Sequence, residues 1–283
     1  MSCPILFGVA GWSYPDWQGV VYPGRVPDKL QFLARYVDLI EINSSFYRPP
    51  AAKDTGSWVE RTALHPAFCF TAKLHRQVTH ERIVDPAAVR AFREGFGPMV
   101  EAGKLRQLLA QFRYDFADSL AARDHLRRVK DAFGSLAEIV VEVRHASWQG
   151  PEALAFLGSL GVTVANLDYP IGRDSFCLRE CLVGSNGYLR LHGRNRKAWF
   201  DRNAGRDETY NYDYSRAELE DVRDRALSLA RALASLTIVA NNHYRGKEIA
   251  NVLELKWMIG GAKVPVPSGL VAEYPRLQEI AGP

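Results

Sequence analysis

Short apolar runs of strand length recur along the whole chain. Most of them are apolar at nearly every position, which is typical of parallel strands that helices cover on both faces. Their average spacing is about 33 residues, and a repeating unit of strand, loop and helix needs roughly 30 or more. These runs predict eight strands: Ile5–Ala10, Val37–Ile42, Phe68–Ala72, Leu105–Phe112, Ile139–Val143, Val162–Leu167, Tyr188–Leu191 and Leu236–Ala240.

The segments between these runs carry the signals of helix ends. Asp85-Pro86 supplies an N-cap residue followed by proline at the first helical position. Ser215 and Glu218 have the spacing of a capping box. A further helix is predicted over Glu248–Ile259, with Gly260 ending it. The chain therefore alternates strands with helices.

Eight alternations without a low-complexity linker predict an α/β fold. We expect one domain over residues 1–283, a single (β/α)8 TIM-type barrel, with a C-terminal tail at 261–283. A doubly wound parallel sheet is the alternative. Two long stretches, Tyr169–Gly187 and Gly193–Tyr214, follow strands 6 and 7, where a barrel carries its functional loops.

Composition and charge exclude several classes of protein. Apolar residues make up 47% of the chain and charged residues 24%, which rules out a disordered or collagen-like polypeptide. The formal charge of +4 permits a polyanionic partner without requiring one. We expect a cytoplasmic protein, because neither a signal-like N-terminus nor an apolar run of membrane-spanning length is present. The cysteines lack zinc-ligand spacing, so reduced thiols are expected at Cys3, Cys69, Cys177 and Cys181.

Polar residues gather at the ends of the predicted strands. Residues two apart in a strand share a face, so each pair of polar residues around one aliphatic residue should point into the barrel. Such pairs predict a site at the carboxyl mouth of the barrel, the usual position in this fold. A salt-bridge layer that only closes the barrel is the alternative. The pairs are Glu41 and Asn43, Glu142 and Arg144, Asn166 and Asp168, and Arg190 and His192, with Lys73, Gln111, Asn241 and Asn242 at other strand ends.

The charges of this ring match in number, and their positions predict three ion pairs, two between adjacent strands and one within a single strand. They are Glu41 with Lys73, Glu142 with Arg144, and Asp168 with Arg190. Carboxylates that are already neutralised suit a divalent cation poorly, so we expect no metal and no cofactor. A metal set like those of sugar-isomerase barrels, formed by Glu41, Glu142, Asp168 and His192, stays open as an alternative.

Basic, aromatic and histidine side chains lie just beyond the strand ends. Guanidinium groups suit phosphate and carboxylate, and aromatic rings can stack on sugars or bases. A solvated basic rim and a small core under a loop are the alternatives. His192 is the strongest acid–base candidate, whereas His65, His75 and His125 are expected at the surface. The rim residues are Trp12, Tyr14, Tyr47, Arg48, Arg76, His80, Arg113, His145, Trp148, Arg194, Arg196, Lys197, Trp199 and His243.

The serial order of these motifs resembles the domain of unknown function 72 family, also called YecE-like and described as sugar-isomerase-related. The resemblance spans roughly Phe7 to Leu255 and implies a TIM-type barrel without an established reaction. The motifs are Gly11-Trp12-Ser13-Tyr14, Glu41-Ile42-Asn43-Ser44-Ser45-Phe46-Tyr47-Arg48, Lys73-Leu74-His75-Arg76 with Thr79-His80, Glu142-Val143-Arg144-His145 with Ser147-Trp148, Arg190-Leu191-His192-Gly193-Arg194 and Asn241-Asn242-His243.

The chain departs from the family's usual pattern at two places. Gln111-Phe112 leads into Arg113-Tyr114 where a pair of prolines is common, and Val9-Ala10 precedes Gly11-Trp12 where Thr-Ser is frequent. Because the first change adds positive charge near the expected mouth, substrate preference is expected to differ from that of relatives.

The sequence thus predicts an enzyme, of hydrolase, lyase or isomerase type, that performs metal-independent acid–base chemistry on a phosphate-bearing sugar, nucleotide or nucleic-acid substrate. A non-catalytic nucleic-acid or phosphate-binding module and a metal-dependent isomerase or endonuclease-like barrel are the alternatives. No membrane partner is expected. The expected catalytic residues are Glu41, Glu142, Asp168, Arg190 and His192. The expected substrate-binding residues are Trp12, Tyr14, Asn43, Tyr47, Arg48, Lys73, Arg76, His80, Gln111, Arg144, His145, Trp148, Arg194, Asn241 and Asn242.

Overall fold

A computed structural model describes residues 3–282 and contains one large parallel sheet. Its strands are hydrogen-bonded in the order β6-β5-β4-β3-β2-β1-β9-β8-β7. β6 and β7 are two pieces of the predicted sixth strand, which is interrupted at Ala165. The strands are β1 (Ile5–Ala10), β2 (Leu39–Ile42), β3 (Cys69–Lys73), β4 (Leu105–Gln111), β5 (Glu138–Glu142), β6 (Thr163–Val164), β7 (Asn166–Asp168), β8 (Asn186–Leu191) and β9 (Ser235–Ala240).

Helices separate the successive strands, except that β6 and β7 are pieces of one strand and that residues 169–185, between β7 and β8, contain no helix. This alternation is that of a TIM-type (β/α)8 barrel, so the predicted fold class is confirmed. The two long loops are also present, over residues 169–185 and 192–215. The α-helices are α1 (Lys29–Leu33), α2 (Ala52–Arg61), α3 (Arg76–Thr79), α4 (Pro86–Glu101), α5 (Leu120–Phe133), α6 (Pro151–Ser159), α7 (Arg196–Phe200), α8 (Arg206–Thr209), α9 (Arg216–Ala232), α10 (Lys247–Gly260) and α11 (Ser268–Glu273). Short 3₁₀ helices cover Pro15–Trp17, Ser44–Phe46, Ala146–Gln149, Tyr244–Gly246 and Pro275–Gln278.

The helix ends follow the signals in the sequence. The Asp85 carboxylate accepts the backbone N–H of Ala88 at 2.9 Å, so the N-cap of α4 is confirmed. The capping box of α9 is also confirmed, because Glu218 accepts the N–H of Ser215 at 2.9 Å. α10 ends one residue later than predicted. Gly261 is the residue that adopts a left-handed φ of 70°, which glycine tolerates best.

The chain divides into two compact units. The first unit comprises the residues up to Ile40, Leu167–Pro170 and the residues from Leu189 onward. In it β1 pairs in parallel with β9, with Ile5 opposite Leu236. The expected C-terminal tail is folded, because Val264–Pro265 (β10) and Ala281–Gly282 (β11) form a two-stranded parallel sheet.

The second unit comprises Glu41–Asn166 and Ile171–Tyr188. Its strands β3, β4, β5 and β6 pair in parallel. Phe92 of α4 and Phe133 of α5 pack edge to face at 5.3 Å between ring centroids. Both side chains are almost fully buried, so the two helices share one apolar core. Within residues 3–282, no helix is long and apolar enough to cross a bilayer.

Candidate functional site

The strongest candidate site of the first unit is centred on His192 of the β8–loop junction. Arg190 and His192 are both fully buried. The guanidinium Nη1 of Arg190 lies 3.3 Å from Nε2 of His192, and the side-chain amide of Asn241, after β9, lies 3.1 Å from Nδ1. Alternation along β8 therefore puts Arg190 and His192 on one face, as predicted. We call these three residues, Arg190, His192 and Asn241, the His192 cluster.

These contacts define the tautomer of His192. A guanidinium can only donate hydrogen bonds, so Nε2 must accept from Arg190. The ring proton of a neutral imidazole then sits on Nδ1. The amide atom placed 3.1 Å from it is Nδ2 of Asn241, so this amide must be turned by 180° to present its oxygen as the acceptor of that proton. His192 is therefore held as a neutral ring with a defined orientation, which is what a general base requires.

Three aromatic rings cover His192. Its ring centroid lies 6.4 Å from that of Tyr169, 5.7 Å from that of Trp199 and 6.2 Å from that of Tyr210. Trp199 belongs to α7 and Tyr210 follows α8, so the long loop after β8 supplies most of this cover. A covered, dry environment strengthens the electrostatic interactions of the buried groups.

Asp168 and Arg194 pair with each other. Nε and Nη2 of Arg194 donate to the two carboxylate oxygens of Asp168 at 2.9 and 2.7 Å, and the hydroxyl of Tyr214 donates to Asp168 at 2.7 Å. The hydrogen bond to Asp168 raises the pKa of Arg194 above its ordinary value. The predicted pairing of Asp168 with Arg190 is therefore wrong: Arg194, from the loop, reaches the carboxylate with a bidentate fork.

Gly193 leads from His192 into the loop. Its φ is 85°, and a Cβ at this position would lie 2.6 Å from Cβ of Tyr212. Its backbone N–H donates to the hydroxyl of Tyr214 at 3.0 Å. Only glycine fits both this conformation and this space.

The remaining predicted residues of the first unit have local partners. Nδ2 of Asn242 donates to the carbonyl of Tyr212 and to Oδ1 of Asn251, both at 2.8 Å. Trp12 offers its carbonyl to the hydroxyl of Tyr22 at 2.5 Å. Tyr14 is nearly buried, and its hydroxyl donates to the carbonyl of Ala10. These contacts hold the loop after β1 and the end of β9 in place.

In the second unit, buried polar groups lie on β2, β3, β5 and β8. Glu142 accepts Nε and Nη2 of Arg144 at 2.9 and 2.7 Å, so this predicted pair is confirmed. Glu41 accepts the hydroxyl of Tyr188 at 2.8 Å, and Tyr188 lies 2.9 Å from the hydroxyl of Thr71. Sequence reasoning did not single out Tyr188 and Thr71. Thr71 stands between the apolar residues Phe70 and Ala72, and Tyr188 comes before the polar pair at the end of its strand.

A group of cations surrounds His80 in the second unit. Burial, followed by the charges of Arg113, Arg144, Lys73 and Arg76, lowers the pKa of His80. The register of the strands brings the ends of β3, β4 and β5 level with one another. Lys73 of β3 lies opposite Leu109 of β4, and Gln111 of β4 lies opposite Glu142 of β5. We call Lys73, Arg76, Arg113 and Arg144 the His80 cation group. Three of its members have carboxylate neighbours: Glu81 for Arg76, Asp115 for Arg113 and Glu142 for Arg144.

Other residues that were expected to bind substrate lie in the core, at a helix cap or at the surface. Trp148 is fully buried, and its Nε1 donates to the carbonyl of Phe116 at 2.6 Å, so we assign it to the core. His145 caps the 3₁₀ helix that follows it by accepting the N–H of Ser147 at 3.2 Å. Tyr47 and Arg48 are exposed, whereas Asn43 is half-buried before the 3₁₀ helix that begins at residue 44.

His125 is buried and not at the surface as predicted, because its Nε2 bonds the carbonyl of Val78 at 2.8 Å inside the second unit. Within residues 3–282, no three His, Cys, Asp or Glu side chains come together in a way that could hold a metal ion.

Comparisons with known proteins agree with this fold. A family model described as "Protein of unknown function DUF72" matches residues 6–275. The UPF0759 protein YunF of Bacillus subtilis (strain 168) is 27% identical over 276 residues, which is 89% of this chain and 96% of that protein. A DUF72 family protein of Thermotoga maritima has a crystal structure with a TM-score of 0.80 at 30% identity, covering 91% of this chain and 99% of its own.

A more distant structure shares the fold alone. D-psicose 3-epimerase, solved in the presence of D-fructose, has a TM-score of 0.54 at 10% identity and covers 91% of this chain and 100% of its own.

Proposed function

The chain belongs to the DUF72 family, whose description names no function, and we propose a function for it from the His192 cluster. The protein is an enzyme that transfers protons, without a metal ion, on an anionic, phosphate-bearing sugar, nucleotide or nucleic-acid substrate. The observation that carries this proposal is the fully buried His192, held on both ring nitrogens by Arg190 and Asn241 under an aromatic cover.

His192 is the proton-transfer residue of the proposed reaction. Its neutral ring has a fixed tautomer, so Nε2 accepts a proton from substrate once the substrate takes the place of the Arg190 contact. Proton transfer by a positioned side chain contributes about 10²–10⁴-fold to rate. The Nδ1 proton stays hydrogen-bonded to Asn241 throughout, which preserves the orientation of the ring.

Arg190 is the charge-stabilising residue. A guanidinium released from Nε2 of His192 donates to an oxygen that becomes negative as the proton leaves. Because Arg190 is fully buried, water screens this interaction little. The electrostatic stabilisation is therefore stronger than the same contact would give at the protein surface. The same positive charge favours an anionic substrate. Asp168, bound to Arg194 and Tyr214, positions the loop and need not touch the substrate.

Turnover of a substrate panel tests the proposal. The panel contains aldose and ketose phosphates, nucleoside monophosphates and short oligonucleotides, assayed by ¹H NMR for exchange or new products. We expect at least one member to react, and His192→Gln to lower kcat by about 10²-fold or more while binding persists. His65→Gln is the matched control, because it makes the same substitution at a histidine that belongs to the second unit. Equal rates for wild type and His192→Gln would refute the proposal.

The His80 cation group favours a second candidate function, a non-catalytic phosphate or nucleic-acid binding module. Four positive side chains around one neutral histidine suit an anion. Under this alternative the affinity for an oligonucleotide falls steeply with salt. Arg113→Gln then weakens binding, and His192→Gln leaves it intact. Affinity that does not change with salt would remove this candidate.

A further inference from the structure

His243, three residues beyond the end of β9, has a fixed backbone and a buried ring. Its side chain is only 4% exposed. Its carbonyl accepts Nε1 of Trp17 at 2.8 Å and the N–H of Gly246 at 3.0 Å. The main chain therefore fixes the Cα–Cβ bond from which this imidazole projects, and the stack on Tyr14 orients the ring.

Both ring nitrogens of His243 are buried without a hydrogen-bond partner in the described part of the chain. The ring stacks in parallel on Tyr14, with centroids 4.5 Å apart, and it contacts the ring of Tyr210 at 5.7 Å. Oδ1 of Asp207 lies 3.9 Å from Nε2, which is beyond hydrogen-bonding distance. A buried polar group without a partner costs stability, and native proteins rarely keep one without a use for it.

We propose that His243 is a second ligand-binding residue of the site around His192, and that it hydrogen-bonds a hydroxyl group of a polyhydroxylated substrate such as a sugar phosphate. This inference rests on the proposed function and narrows its substrate class. Tyr210 links the two histidines, because its ring contacts that of His243 at 5.7 Å and that of His192 at 6.2 Å.

The chemistry of the ring selects the ligand. Burial, followed by the charge of Arg206, lowers the pKa of His243 to about 4, whereas Asp207 and Asp16 raise it. The imidazole is therefore neutral at pH 7 and offers one donor and one acceptor. One hydroxyl group can accept from the ring N–H and a second can donate to the other nitrogen, so a polyhydroxylated ligand satisfies both sites. A phosphate oxygen only accepts at neutral pH and leaves the acceptor nitrogen unused.

A cover closes the position of His243. We call residues 195–211 the cover segment, which contains α7 and α8. Nδ2 of Asn195 donates to the carbonyl of Glu208 at 3.0 Å, so the segment is braced internally. Asp207 and Phe200 on it are exposed. Movement of Tyr210 with this segment uncovers His192 and His243 together and admits the substrate.

Binding measurements on the whole protein test the proposal. Wild type and His243→Phe are titrated calorimetrically with a panel of aldose and ketose phosphates and, separately, with inorganic phosphate. Phenylalanine keeps the stack on Tyr14 and removes both nitrogens. We expect at least one sugar phosphate to bind about tenfold more weakly to His243→Phe, as loss of a hydrogen bond predicts, and His243→Gln to recover part of the affinity. The weak affinity of inorganic phosphate should not change.

Two results would overturn the inference: equal affinity of wild type and His243→Phe, or no binding by any sugar phosphate of the panel. Either result is separable from failure of the proposed function, which would appear as equal turnover in wild type and His192→Gln, with nucleotides and oligonucleotides included in the panel. A melting curve for His243→Phe shows that the variant is folded. We expect it to melt no lower than wild type, because an unpaired polar group has been removed.

A chemical labelling experiment measures the accessibility of His243 without substituting this residue. Diethylpyrocarbonate acylates accessible neutral imidazoles, and mass spectrometry reports its reaction with His243. Tyr210→Ala should raise this rate about tenfold over wild type, whereas Phe200→Ala, an exposed ring on the same segment, should leave it unchanged. A bound sugar phosphate should protect His243 in wild type. An unchanged rate in Tyr210→Ala, or no protection, would contradict the inference.

Discussion

Arg190 and His192 lie two positions apart on one strand, and the guanidinium of Arg190 donates to Nε2 of His192 across 3.3 Å. A protonated ring would present an N–H to a group that can only donate. The contact between Arg190 and His192 therefore requires a neutral imidazole ring. In the proposed reaction, His192 accordingly acts first as the base. The substrate must displace Arg190 from this nitrogen before it can lose a proton.

The first prediction concerns the tautomer of His192. ¹⁵N NMR of histidine-labelled protein should show the proton on Nδ1. Asn241→Asp keeps an oxygen toward this proton and should preserve the tautomer. Asn241→Leu removes the acceptor and should lower kcat by about 10–100-fold, because a general base in the wrong orientation transfers protons poorly. A proton on Nε2 in wild type would contradict the assignment.

The second prediction concerns Asp168 and Arg194. The Arg194 side chain is 30% exposed and that of Asp168 is 10% exposed. Asp168→Asn removes the bidentate carboxylate of Arg194 and leaves the longer contacts to Glu218 at 3.5 Å and Asp221 at 3.3 Å. We expect the free energy of unfolding to fall by about 2 kcal/mol, less than for a fully buried pair. Urea denaturation measures this.

Arg194→Met completes a double-mutant cycle with Asp168→Asn. The coupling energy should exceed about 1 kcal/mol. Additive losses would mean that the two side chains do not stabilise each other.

The third prediction concerns Trp148, a core residue in our assignment. Trp148→Ala should lower the free energy of unfolding by about 3–5 kcal/mol, because it leaves a cavity against Phe116. Trp148→Phe should cost less, and should not alter the affinity for a sugar phosphate. Weaker binding by a folded Trp148→Phe would restore the substrate contact that the sequence suggested.

The fourth prediction concerns pH. Burial lowers the pKa of His243 from 6.5 to about 4, so between these values the unfolded chain binds more protons than the folded one. This contribution to stability is therefore complete above pH 6.5 and is lost as the pH falls toward 4, by about 3 kcal/mol. Denaturation of wild type and His243→Phe across this range measures the difference in stability, whose dependence on pH should vanish above pH 7. Parallel curves at every pH would contradict it.

The fifth prediction concerns the His80 cation group. The charges of Arg113, Arg144, Lys73 and Arg76 around His80 should make the second unit the stronger attractor for small anions at low salt. ¹H NMR of the His80 ring should show a shift on adding inorganic pyrophosphate at 20 mM salt, and a much smaller one at 300 mM, where the Debye length is shorter. Arg113→Gln should reduce the shift, and Arg90→Gln on α4 is the control.

Local signals in the sequence predicted the fold well. The run Ile5–Ala10 became β1 without a change of bounds, because its residues from Phe7 onward are buried and the strand is apolar along its length. Asp85 and Ser215 began their helices because their side chains accept backbone N–H groups that the first turn leaves unpaired. Polarity at a strand end likewise predicted that Arg190 and His192 share a face.

The loops could not be predicted in the same way. The sequence alone does not distinguish Arg190 from Arg194 as the partner of Asp168. The path of the chain through Gly193 decides which of the two guanidinium groups reaches the carboxylate. His125 carried no signal of burial, because its acceptor is a backbone carbonyl of another helix. Whether the ring nitrogens of His243 have hydrogen-bond partners depends on which residues the fold brings next to them, so it could not be predicted from the sequence.

The geometry of Gly193 has a practical consequence for engineering. Residue 193 must be left-handed and has no room for a methyl group, so randomising it in a mutant library would mostly yield misfolded clones. Selection for new substrates should hold this codon constant and vary Trp199 and Tyr210, whose rings lie against His192 and can change size without forcing the main chain to move.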